Sequence, residues 1–387
     1  MIYTAKNVKQ RRAIIERFER AFAFAQKQVK RLTDNHPEIF PLYTVNGRWI
    51  HEGELWTNWC EGFLGGMMWI FTARLGDSTA GAMWRKRAER YSRLIEERKS
   101  VRNVHDLGFL FWSTYKRWYD LTGDEEVKEI VLTAGKTMGY RFKEKGEYLR
   151  SFVAEDSIFI DIMMNVGIVF YAALETGDAE LLSKAHRHCR TTRRALVRGD
   201  GSTAHEGIFD LETGEFLRQT THQGYRGDSA WARGLTWALY GFATAYKMTG
   251  ERAYLETACL CARFYLENTD FTGEAPGVPP NDYDGSPPHT LYDSSAAAIA
   301  ACGLFELAGL TCDELYSEVY RDAAVTIVDT LSGPDFLGEG EPGWEGILRH
   351  GIYHIDKNLG VDESVMWGEY FFVEALDRAL VCLERLQ

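Results

Sequence analysis

One short break recurs along this chain and constrains its fold more than any other feature. It reads Ala73-Arg74-Leu75-Gly76-Asp77, then Asp120-Leu121-Thr122-Gly123-Asp124, then Glu175-Thr176-Gly177-Asp178. It returns as Lys247-Met248-Thr249-Gly250-Glu251 and, more loosely, as Glu306-Leu307-Ala308-Gly309. A glycine suits the left-handed residue that ends a helix, and the acid after it suits the start of the next. An apolar stretch rich in aromatics and alanine precedes each break, and a more charged helical stretch follows it. Such a chain folds as a series of tight helical hairpins. The spacing, roughly 45–75 residues, is irregular because the hairpins are joined by loops of unequal length.

The pattern predicts about twelve helices. Apolar ones fall near 58–75, 104–121, 158–176, 227–249, 290–308 and 363–385. Charged ones fall near 79–98, 124–141, 178–196, 251–268 and 312–331, with 7–33 as the twelfth. Six helices buried on most sides within six amphipathic ones make an all-α (α/α)6 barrel, here a single domain over 1–387. Helix 7–33 is charged like the outer members and is expected to pair with 363–385 and close the ring. Strands do not alternate with helices, which argues against Rossmann and TIM architectures.

The connections are asymmetric. Apolar helices pass to the next charged helix in a few residues, whereas most returns are long: 34–57, 142–157, 197–226, 269–289 and 332–362. All the long loops therefore share one rim, where a ligand site is expected. Loop 197–226 reads as short strands turning at Asp200-Gly201 and Thr213-Gly214, and 269–289 as irregular chain.

The starts of the apolar helices are chemically unlike the rest of the chain. They carry Trp56, Asn58, Trp59 and Glu61; His105 and Asp106; Asp161; Arg226, Asp228, Trp231, Arg233 and Trp237; and Ser294, Ser295 and Ser364. The loop before the fourth adds His205-Glu206-Gly207 and His222-Gln223-Gly224-Tyr225. Helix N-capping explains the three serines, and part of Asp228. Trp, His, Gln, Arg and carboxylates around an open mouth suit a sugar, whose apolar faces stack on rings and whose hydroxyls need polar partners. An acidic sugar also needs a cation, which Arg226 or Arg233 would supply. Asp161 is flanked by Ile160, Ile162, Met163 and Met164. Desolvation there would raise its pKa and let it hold a proton near neutral pH.

The net charge of -12 argues against a nucleic-acid surface. His186 and His188, with Cys189 beside them, lie on an outer helix where i and i+2 side chains diverge, and nothing has zinc-site spacing, so no metal and no cofactor are expected. The seven cysteines have no disulfide-scaffold spacing, residues 1–9 carry no apolar leader-like run and no apolar run reaches membrane-span length. A cytoplasmic protein without a membrane partner is expected, as monomer or homodimer.

These residues resemble those of the unsaturated glucuronyl hydrolases, glycoside hydrolase family 88, over nearly the whole chain. The resemblance rests on Asn58-Trp59-Cys-Glu-Gly62-Phe63, His105-Asp106-Leu-Gly-Phe and Asp161-Ile-Met-Met-Asn165. It continues in His205-Glu206-Gly207, His222-Gln223-Gly224-Tyr225, Ser229-Ala-Trp231-Ala-Arg233-Gly234 and Trp367-Gly368-Glu369-Tyr370. It implies a partner, an oligosaccharide ending in a 4,5-unsaturated uronic acid of glycosaminoglycan type, and release of that sugar by hydration of its double bond. It implies Asp161 as general acid and base, with Asp106 positioning the sugar and holding Asp161 in its working state. Trp59, His105, His205, Gln223, Trp231, Arg233 and Trp237 would line the first subsite, and Lys357 would offer a cation to the second sugar. Leu64 stands where an aromatic is expected and Glu369 where an Asp is expected, departures that bear on outer-subsite contacts and not on the chemistry. The alternatives are an unsaturated rhamnogalacturonyl hydrolase acting on pectin fragments, and a sugar epimerase using His205 and His222.

Overall fold

The computed structural model describes residues 8–50 and 59–384. Trp56 and Asn58 lie outside the described residues. Twelve helices form within them: α1 Val8–Asn35, α2 Glu61–Leu75, α3 Thr79–Leu94, α4 spanning 107–122, α5 Glu125–Gly139 and α6 Ile162–Thr176. The rest are α7 Ala179–Leu196, α8 Ala232–Thr249, α9 Arg252–Asn268, α10 Ser294–Leu310, α11 Glu314–Leu331 and α12 Met366–Glu384. The even-numbered helices pack in a closed inner ring, α2 on α4, α4 on α6, and so on until α12 meets α2. The odd-numbered helices surround them, and α1 packs against α12 as expected. This is the (α/α)6 barrel.

Burial explains the two rings. In α2, α6 and α10 nearly every side chain is buried, because inner helices touch neighbours on all sides. The outer helices bury one stripe and leave the other face charged, as in α7, where Leu181, Ala185, His188, Cys189 and Thr192 are buried.

The recurring break ends helices as predicted at Gly123, Gly177 and Gly250, each left-handed with φ of 66°, 68° and 69°. Asp124 and Asp178 then cap the next helix through their carboxylates. Two breaks differ. After Gly76 the cap is Ser78, not Asp77. Gly309 lies inside α10, which runs on to Leu310.

Every inner helix starts three to five residues later than the apolar pattern suggested. Before α6, α8, α10 and α12 the extra residues are committed to rim pairing, which uses their backbone groups before a helix can. Nine short strands decorate the described rim: β1 Thr44–Val45, β2 Arg48–Trp49, β3 Phe142–Lys143, β4 Tyr148–Leu149, β5 Ser157–Phe159, β6 Glu206–Phe209, β7 Phe216–Thr220, β8 Gly351–His354 and β9 Leu359–Glu363. Strands β5, β6 and β7 form an antiparallel sheet, with Ile158 opposite Gly207 and Phe159 opposite Glu206. One step further, Ile160 N–H donates to His205 O at 2.9 Å. That register carries Asp161 and His205 to the same place. Trp231 bridges Asp282, and Tyr292 bridges Pro280, just before α8 and α10.

Candidate active site

Most helix-start acids in this chain act as caps. Asp124, Asp178, Asp293 and Asp313 all accept backbone N–H bonds from the first turn of their helix. Asp106 and Asp161 occupy the same position on α4 and α6 and accept none. Their helices are satisfied in other ways. Asn165 accepts the Phe109 N–H at 2.8 Å through Oδ1 and donates to Asp161 O at 3.1 Å through Nδ2. It therefore caps α4 from α6 and ties the two starts together. The helices approach closely there: a Cβ on Gly108 would lie 2.6 Å from Asn165 Cα. On α6, Met163 and Met164 donate to the backbone of Ile160 and Asp161. Both carboxylates are thereby left free to face one cavity.

The cavity, about 190 Å³, opens at the long-loop rim between the starts of α2, α4, α6 and α8 and the β8–β9 hairpin. Both acids line it, with Trp59, His105, Gln223, Arg233, Trp237 and Lys357. Two residues expected there are not: His205 and Trp231 stand behind the wall. The His205 ring packs on Trp231 at 4.4 Å, and the Arg233 guanidinium lies 4.4 Å over Trp231. Arg226 is also elsewhere, paired with Asp228 at 2.9 Å on the exposed surface. Ser294 and Ser295 do not cap α10; Asp293 does, through bonds to the Ser295 and Ala296 N–H groups.

The cavity also uses two residues the sequence did not single out, Phe152 and Phe159, which form one wall. Tyr353 and His354 form another, with His222 between. Phe159 is wedged between two histidines, 5.7 Å from His105 and 4.7 Å from His205. Its strand alternation, two residues before Asp161, was the available signal. His354 is buried with neither ring nitrogen bonded, and Trp237 Nε1 is buried without a partner. These are hydrogen-bonding groups turned toward an enclosed space.

Arg233 is deeply engaged. It bonds Gln223 Oε1, Ile352 O and Tyr353 O and lies 3.5 Å from buried Asp293. It holds Gln223 and the β8–β9 hairpin in place and sets a positive field below the cavity. Lys357 stands at the exposed mouth.

Burial pushes both carboxyls up in pKa. Asp106, with 4% of its side chain exposed, is driven well above the usual range by desolvation and by the charge of Asp161. Asp161, 16% exposed, is raised by desolvation to about 6, with Arg233 opposing. Of the two, Asp106 is the acid that burial holds protonated, while Asp161 titrates near 6. The sequence placed the proton on Asp161 because of the flanking Ile and Met. Those neighbours, Ile160, Ile162 and Met163, face the core, while Asp161 itself faces the cavity.

A match to the family model of Glycosyl Hydrolase Family 88 covers residues 24–263. The chain is 32% identical over 378 residues to the unsaturated glucuronyl hydrolase of Bacillus sp. (strain GL1), spanning 92% of this chain and 94% of that protein. The chain belongs to glycoside hydrolase family 88. The solved structure of that Bacillus enzyme matches with a TM-score of 0.85 at 30% identity, over 93% of this chain and 96% of its own. An unsaturated glucuronyl hydrolase specific for heparin matches with a TM-score of 0.85 at 26% identity, over 95% and 98%. A mutant Streptococcus agalactiae unsaturated glucuronyl hydrolase complexed with dGlcA-GalNAc6S matches with a TM-score of 0.74 at 25% identity, over 98% and 96%.

As a family 88 member this chain is a glycoside hydrolase. Its two departures from the family pattern are structural. Leu64 is fully buried in α2. Glu369 is buried in the wall, accepts the Ile347 and Leu348 N–H groups at 2.6 and 3.0 Å, and is pushed by burial to about 8. Neither lines the cavity. Among the described residues no group of three or more His, Cys, Asp or Glu could hold a metal ion, and no helix is long and apolar enough to cross a membrane. His186 bonds Tyr254, and His188 accepts the Leu149 N–H.

Proposed function

We propose that this enzyme removes a 4,5-unsaturated uronic acid from the non-reducing end of glycosaminoglycan fragments, with Asp161 as acid and base. The carrying observation is the pair of helix-start carboxylates that cap nothing and share one sugar-sized, ring-walled cavity. The unsaturated ring stacks against the aromatic wall of Trp59 and Trp237, and its carboxylate lies in the field of Arg233. Its negative charge and the displaced water raise Asp161 further, so the bound state favours the protonated acid.

Asp161 gives its proton to carbon 4, and water adds at carbon 5, returning a proton to Asp161. The hemiketal at carbon 5 opens to a ketone as the ring oxygen leaves. The hemiacetal left at carbon 1 collapses and releases the second sugar. Asp106, protonated and beside the ring, donates a hydrogen bond to a sugar hydroxyl and keeps a second negative charge away from Asp161. Lys357 meets the second sugar at the mouth. The epimerase alternative needs two histidines facing across the cavity, and His205 is turned away from it. The seven cysteines are all thiols, which supports a reducing, cytoplasmic setting.

The test is loss of double-bond absorbance on unsaturated chondroitin, hyaluronan, heparin and rhamnogalacturonan disaccharides. Asp161→Asn should bind the glycosaminoglycan disaccharides and turn over none. Near-normal turnover by that variant removes Asp161 from the chemistry, and exclusive wild-type turnover of the pectin fragment overturns the substrate class.

A further inference from the structure

The two acids are served by the same device. His105 accepts the Phe152 N–H at Nδ1, 3.0 Å away, and its Nε2 lies 3.2 Å from Asp106 Oδ1. His205 accepts the backbone N–H groups of His222 and Gln223 at Nδ1, at 3.1 and 3.2 Å, and its Nε2 lies 3.5 Å from Asp161 Oδ2. A ring nitrogen that accepts backbone N–H bonds carries no proton, so the single proton of each neutral imidazole sits on Nε2, the nitrogen beside the carboxylate. His205 Nε2 and Asp161 Oδ2 are both buried, stand 3.5 Å apart, and neither has a hydrogen-bond partner.

We propose that His205 is a positioning residue, a tautomer-locked N–H donor that aims and tunes Asp161 without touching the sugar. The inference rests on Asp161 being the acid. It differs from the subsite role expected for His205, because the histidine stands behind the wall and reaches the substrate only through Asp161. The lock is made by the backbone of the loop that presents His222 and Gln223 to the cavity. Loop position and acid strength are therefore set by one contact. When that loop is in place, His205 keeps its donor on Asp161; if the loop withdraws, the tautomer is no longer fixed.

The other groups around Asp161 do not replace this donor. Asp106 on α4 is itself held protonated by burial and by the charge of Asp161, and Arg233 on α8 favours the Asp161 carboxylate. His105, His222, His354 and Lys357 also line the cavity. Burial lowers the pKa of His205 well below the usual histidine value, with His222, Arg233, His105 and His354 adding to the effect. It therefore stays a neutral donor through the working range.

Two substitutions separate the halves of the imidazole. His205→Asn keeps an acceptor near Nδ1 for the loop but removes the donor. His205→Gln places an amide N–H near Nε2. Loss of a donor disfavours the carboxylate, so His205→Asn should move the alkaline limb of log(kcat/KM) up by roughly one pH unit. His205→Gln should return the limb toward wild type. An unmoved limb in His205→Asn, or equal shifts in both variants, overturns the inference. Full turnover by Asp161→Asn would instead overturn the functional reading beneath it. Should either histidine variant fail to fold, 15N spectra of wild-type enzyme with labelled histidine decide the matter. His205 should remain the neutral Nε2–H tautomer between about pH 5 and 8; an Nδ1–H form or an imidazolium there overturns the assignment.

Discussion

Asn165 is the joint on which the acid pair depends, and its removal can be worked through. Its side chain is fully buried and makes two bonds, one to the orphan N–H of Phe109 and one to the carbonyl of Asp161. Asn165→Ala leaves the Phe109 N–H unpaired in the core, while the Asp161 carbonyl keeps the Met164 N–H at 3.1 Å. One such unpaired group costs about 1–3 kcal/mol. An unfolding entropy of about 2.1 cal/mol/K per residue gives about 0.8 kcal/mol/K for a chain of 387 residues. The expected fall in Tm is about 1–4 °C. Function should fall further than stability, because α4 and α6 can then slide. A misplacement of about 1 Å between reacting groups costs on the order of 10²-fold in rate. Calorimetry and initial rates of absorbance loss, both well below Tm, read the two effects. Asn165→Asp retains an acceptor for Phe109 and should lose less stability than the alanine variant. A Tm within 1 °C of wild type together with unchanged kcat in Asn165→Ala would refute the argument that this residue holds the acids in register.

The pKa of Asp161 predicts the alkaline limb of the free enzyme. With Asp161 as the proposed acid, log(kcat/KM) should be flat at low pH and fall with unit slope above about 6. Ionised Asp161 is disfavoured in the fold, so its stabilising share is complete below its ordinary value of 3.8 and is lost as pH rises through about 6. A limb at or above pH 8 on disaccharide would show that another group sets it. At the other end of the barrel, Glu374 pairs with Arg117 at 2.7 Å and Arg378 at 2.9 Å, and those charges hold it down near 2 despite its burial. Its stabilising share is present above its ordinary value of 4.5 and lost as pH falls through about 2. Glu374→Ala leaves Arg117 without its carboxylate, while Arg378 keeps Glu306 at 2.7 Å, and should cost about 3–5 kcal/mol in denaturant unfolding. Since it lies more than two turns below the rim, kcat of the folded variant should stay within about twofold of wild type; a larger loss would join this network to the chemistry.

The fold was legible because the barrel writes itself as a repeat. A left-handed glycine between an apolar and a charged helix is a local requirement, and local requirements survive in sequence. The rim was harder. Residues 158–161 and 227–231 carry helix-like spacing, yet their backbone groups are taken by partners more than forty residues away: Phe159 by Glu206 and Trp231 by Asp282. No window of sequence shows that competition.

The acids illustrate the limit most sharply. Asp106, Asp124, Asp161, Asp178, Asp293 and Asp313 all stand at helix starts, and their neighbours do not sort them. What separates Asp106 from Asp124 is that Asn165, on another helix, supplies the cap in its place. What separates Asp161 is that its first turn closes on backbone carbonyls. A capping carboxylate has its lone pairs committed and its pKa lowered by the N–H groups it accepts. A helix-start acid relieved of that duty is buried, unspent and raised in pKa. The relief comes from long-range contacts, so chemistry at this site is decided by what caps the helices in the acids' stead. The same logic places His205 out of the subsite: its ring is taken by loop backbone on one side, and only the edge facing Asp161 is left to act.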